Sequence, residues 1–86
     1  MKPMSIVVEG YCLDFEQAKA LAEIIALKGH DFATLISWND RERNVHSPQC
    51  LQCEIKGAPG WEVYGKNHEG RLRISVNDDA FVFIYS

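Results

Sequence analysis

At 86 residues and a net charge of −3, with twelve acidic against nine basic residues, the chain reads as one domain without the basic footprint of a nucleic-acid binder. Its 47% hydrophobic and 24% charged residues exclude a disordered chain. No apolar run approaches the ~18 residues of a membrane span, and Met1-Lys2-Pro3-Met4-Ser5 lacks a signal-peptide core, so no membrane partner and a cytoplasmic setting are expected.

The odd count of three cysteines fits a reducing compartment better than a disulfide framework. So short a chain buries only roughly two-thirds of the surface it exposes unfolded. An oligomer, a metal or very good packing would therefore help it.

In chain order, Ile6-Val7-Val8 followed by Gly10 predicts a strand over 5–11. "DFEQAKALAEIIALK" predicts a helix over 14–28. Asp14 is its N-cap, and Gln17 completes a capping box. Phe15, Ala18, Leu21, Ala22 and Ile25 form one apolar stripe, and Gly29 stands where a left-handed residue ends a helix. "FATLISW", 32–38, reads as a second strand. The polar stretch Asn39 to Gln49 reads as a long connection, a kind that is disproportionately functional. Strands over 51–56, 61–66, 71–76 and 81–85 then form a meander, with turns at 57–60, 67–70 and 77–80.

The expected architecture is α+β, in the order β-α-β-β-β-β, with one helix packed on a largely antiparallel sheet. Alternation puts Leu72, Ile74 and Val76 on one face. A turn centred on Asp78-Asp79 pairs Val76 with Phe81 and adds Phe81, Phe83 and Tyr85 to that face. Val82 and Ile84 then point the other way. One helix cannot cover both sheet faces, so the leftover apolar face suggests a homo-oligomer or a protein partner.

If the helix is a right-handed crossover, the first two strands run the same way and end together. That topology gathers Cys12, His46, Cys50 and His68 at one sheet end and puts His30 at the other. Sites in such sheets favour the carboxyl ends of the strands. Polar residues also collect in loops without any function.

The motif "HSPQCLQC" holds a C-x-x-C pair. His46, Cys50, Cys53 and His68 could supply four zinc ligands. There is no second C-x-x-C, and Cys53 alternates with Leu51 and Ile55, which points it into a core. A redox pair is the other chemistry, but thioredoxin-like motifs open a helix whereas this one opens a strand.

Cys12 lies between the first strand and the helix N-cap. Its placement is similar to that in small sulfur-carrier proteins, whose cysteine sits in a strand-to-helix turn, and the resemblance implies a carrier thiol. Those proteins have Cys-Pro-x-Pro where this chain has Cys-Leu-Asp-Phe, and the likeness covers that turn alone.

No glycine-rich phosphate loop precedes the helix, and Asp78-Asp79 lacks a third carboxylate for a divalent cation. Trp38 and Trp61 read as core. Two functions are expected from these residues. The first is a non-catalytic module that self-associates or docks on a larger partner. The second is a thiol- or metal-handling protein using zinc or Cys12.

Overall fold

The computed structural model describes residues 1–49 and 58–86. The expected strand 51–56, with Cys50 and Cys53, lies outside the described residues. The fold is α+β: strands β1 (Lys2–Ile6), β2 (Leu35–Asp40), β3 (Val45–Ser47), β4 (Leu72–Val76) and β5 (Phe81–Tyr85), with helices α1 (Phe15–Ala26) and α2 (Gly60–Asn67). The sheet order is β1-β4-β5-β2-β3. β1 pairs β4 in parallel, and the other three pairings are antiparallel.

α1 starts as its sequence dictates. The Gln17 N–H donates to Asp14 Oδ1 at 2.8 Å, and the Asp14 N–H donates to Gln17 Oε1 at 3.1 Å. Gly29 follows the helix at φ +75°. The buried face of α1 is Ala18, Ala22 and Ala26, small residues that let it lie close to Ile74, Val76, Phe81, Phe83 and Tyr85. Phe15 fills the upper part of this layer, its ring centroid 4.6 Å from Trp38 and 5.5 Å from Phe83.

The expected strand 61–66 is instead the helix α2. A short apolar run cannot be assigned by alternation alone. Trp61 and Gly65, four apart, both face the sheet, while Glu62 in the first turn and Lys66 in the last complement the helix dipole. The far face expected to be bare is therefore covered. Trp61 packs with Val82 and Ile84, which are 1% and 0% exposed.

α2 approaches closely because Gly65 has no Cβ. One placed there would lie 2.6 Å from Ile84 Cδ1 and 2.7 Å from Ser37 Oγ.

Other boundaries also move. The first strand ends at Ile6, before Val7 and Val8. The second begins at Leu35, and the expected loop holds β3, with His46 opposite Asn39. β4 and β5 pair Val76 with Phe81, as the turn reading requires. Asp78 and Asp79 take φ of 55° and 66°, the left-handed conformation of a hairpin turn.

β1 and β2 do run the same way, but β4 and β5 stand between them. With a helix in place of a strand, the directions of the last two strands are the reverse of those expected. The 77–80 turn lies at the upper end, where β1, β2 and β4 finish, and 67–70 lies at the lower end.

Candidate functional site

The expected cluster divides. Cys12 is an exposed free thiol at the upper end, beside Arg41, Glu42 and Asn77. His46 lies near that end on β3, its Nδ1 3.1 Å from the Pro48 carbonyl oxygen. His68 is at the lower end. It stacks on Tyr64 with centroids 3.8 Å apart, and its Nδ1 lies 2.8 Å from the Tyr64 carbonyl oxygen, a contact that closes α2. His46 and His68 thus cannot share a metal. Cys50 and Cys53 lie outside the described residues. Among the described residues no group of three or more His, Cys, Asp or Glu is arranged to hold a metal ion.

At the upper end, a cleft of about 420 Å³ opens at the start of α1, lined by Asp14, Glu16, Asp40, Glu42 and Arg43 over Leu13, Phe15 and Phe81. Its one cation is already engaged. Arg43 Nε donates to Asp40 Oδ2 at 2.6 Å, and the guanidinium carbon stands 5.3 Å from the Phe15 ring centroid. The Asp40 carboxylate is 2% exposed and is held by this pair and by the Arg43 N–H. The arrangement fixes the β2–β3 turn on α1 and leaves no cation for a ligand.

The lower end differs in kind. A cleft of about 490 Å³ lies between β1 and the last turn of α1, lined by Lys2, Met4, Ile25, Lys28, His30, Arg71 and Leu72. Three elements build it. Lys2 and Met4 pair with Leu72 and Ile74, so they share the α1 face of the sheet. α1 brings Ile25 to the cleft, and the Gly29 turn presents Lys28 and His30.

Arg71 precedes β4, and its Nη2 donates to the Ala26 carbonyl oxygen at 3.0 Å. Three of the nine Lys and Arg residues line this one cleft, and among the described residues no acidic one does. Among the described residues, Lys2, Lys28 and Arg71 make no ion pair.

The helix end contributes about half a unit of negative charge. Against three full positive charges, the field in the cleft is positive. Its floor of Met4, Ile25 and Leu72 is apolar. Such a cleft can hold an anion at its rim and apolar atoms beneath.

Sequence reading set His30 aside as the histidine at the wrong end and gave Lys2, Lys28 and Arg71 no role. The pairing of β1 with β4 brings these four together, and no local motif marks it. Among the described residues, no helix is long and apolar enough to cross a membrane.

Two comparisons lead to Archaeoglobus fulgidus. A relative bearing the name "Uncharacterized protein" is 35% identical over 71 residues, which is 83% of this chain and 74% of the relative. The crystal structure of AF1514 matches all of this chain and 93% of its own at 30% identity, with a TM-score of 0.81. The α+β architecture is thus shared along the whole chain. Residues 1–85 match the family model described as "Domain of unknown function (DUF5619)", and the chain belongs to that family.

Proposed function

We propose that the protein is a small non-catalytic binding module whose ligand is an anion held in the lower cleft. The observation that carries this reading is the sign of the charges. Lys2, Lys28 and Arg71 line one cleft beside His30, with no acidic residue among the described residues that line it, in a chain whose net charge is −3. Like charges gathered around a concave surface repel one another, and a bound anion relieves that repulsion. A reducing cytoplasm suits the exposed Cys12 thiol.

Docking of a second copy or a partner on the outer face of the last strand loses its motive, because α2 covers that face. The thiol- or metal-handling alternative draws less support, since His68 stands at the opposite end from Cys12 and His46.

The test is thermal unfolding at low ionic strength with increasing acetate, phosphate or hexanoate. A ligand that binds only the folded state raises the midpoint with concentration. We expect a saturable rise with at least one of these anions and its loss in Lys28→Glu, an exposed position. A flat response to all three, or an unchanged rise in Lys28→Glu, would overturn the reading.

A further inference from the structure

We infer that the ligand of the lower cleft is an amphipathic carboxylate: one negative charge on a short saturated chain. This rests on the anion-binding reading above and adds the ligand's chemical class. Two observations choose it.

The first is the head end of the cleft. Arg71 already donates through Nη2 to the Ala26 carbonyl oxygen, so any anion at its guanidinium sits close to the C-terminal carbonyls of α1. Those carbonyls offset only part of the positive field, so the head end fixes the sign of the ligand and leaves its chain to the floor. Arg71 still has N–H groups on Nε and Nη1 for the carboxylate oxygens. Fixed at Nη2, the guanidinium loses less side-chain freedom on binding than a free lysine does.

The second is the floor. Met4 on β1 and Ile25 on α1, both partly buried, and Leu72 on β4, 6% exposed, line the cleft beside the cations. An inorganic anion uses only the rim and leaves this surface in water. A chain of methylenes covers it, and each buried methylene tightens binding by about fourfold, from its transfer free energy of about 0.8 kcal/mol at 1.4 kcal/mol per tenfold. His30 and Lys28, on the turn after α1, and Lys2, at the start of β1, line the same cleft as Arg71.

Isothermal titration with acetate, butyrate, hexanoate and inorganic phosphate tests this. The expected result is a monotonic tightening of about fourfold per methylene along the carboxylates, with hexanoate tighter than phosphate. In Met4→Thr, the gain per methylene should shrink. Acetate, hexanoate and phosphate binding with equal affinity would overturn the carboxylate assignment and leave the anion-binding reading standing. Binding of none of them would overturn both. The wild-type series decides between these outcomes even if Met4→Thr fails to fold.

Discussion

Arg71 and Ala26, forty-five residues apart in sequence, are joined at 3.0 Å by the guanidinium Nη2 donating to the last carbonyl of α1. This bond ties the end of the helix to the start of β4. It also sets the Arg71 side chain at the rim of the lower cleft. Since α1 has no basic residue in its last turn, Arg71 supplies the cation that the helix end favours.

Arg71→Ala should therefore cost about 1–2 kcal/mol of folding stability, the worth of a half-exposed charge-assisted hydrogen bond at a helix end. Lys28→Ala, at an exposed position whose side chain makes no hydrogen bond among the described residues, should stay within about 0.5 kcal/mol of wild type. Urea denaturation of both variants checks this. Equal stabilities would mean that Arg71 does not hold the helix end.

Gly65 lets α2 lie on the sheet, and substitution there should be costly. In Gly65→Ala the new methyl meets Ile84 Cδ1 at 2.6 Å and Ser37 Oγ at 2.7 Å. We expect a loss of about 1–3 kcal/mol, the usual range for overpacking a close contact. Denaturant midpoints measure it. Pairing the change with Ser37→Ala, which removes one of the clashing atoms, should recover part of the loss in a double-mutant cycle.

Among the described residues, two buried hydroxyls, Ser37 Oγ and Tyr85 Oη, have no hydrogen-bond partner. Leaving such groups unpaired is unfavourable, so Tyr85→Phe should be neutral or stabilising by about 1 kcal/mol. Burial, with Glu23 adding to it, pushes the Tyr85 phenol up to about 12 from an ordinary 10.0. The fold favours the protonated phenol. Its contribution to stability is full below pH 10 and is lost as pH rises through about 12, a change of roughly 2–3 kcal/mol. Ultraviolet titration of phenolate absorbance should show a late step that is absent from Tyr85→Phe. A Tyr85 phenol that titrates at the ordinary 10.0 would contradict this.

Acid acts through Asp79. Hydrogen bonding from the Ser75 hydroxyl first, and then from Arg73, holds its carboxyl below the ordinary 3.8. The fold favours the carboxylate, so the contribution is full above pH 3.8 and is lost as pH falls below it. Asp79→Asn should lose less stability than wild type over that acid range, measured as denaturation midpoint against pH. Asparagine tolerates the left-handed backbone that Asp79 adopts, at φ 66°, so the turn itself is kept. Parallel midpoint curves would refute the assignment.

What the sequence disclosed follows from how local each signal is. The α1 cap needs only Asp14 and Gln17, three residues apart, and the β4–β5 hairpin needs only alternation and a turn. Both were legible. α2 was not, because eight residues holding Trp61, Val63 and Tyr64 alternate as well as they spiral. The choice was made by Gly65 fitting against Ile84 and Ser37, a contact between distant segments. That one substitution of helix for strand reversed the directions of β4 and β5 and moved His68 away from Cys12. The lower cleft was hidden for the same reason. Lys2 and Arg71 meet only because the first strand pairs with the fourth.

The most direct test of anion binding at the lower cleft is a two-dimensional amide NMR titration of the whole chain with hexanoate at low salt. Saturable shifts are expected at Lys2, Met4, Ile25, Lys28, His30, Arg71 and Leu72, with Tyr11, Cys12, Asp40 and Arg43 at the upper end unmoved. Shifts centred on the upper end, or none that saturate, would contradict it.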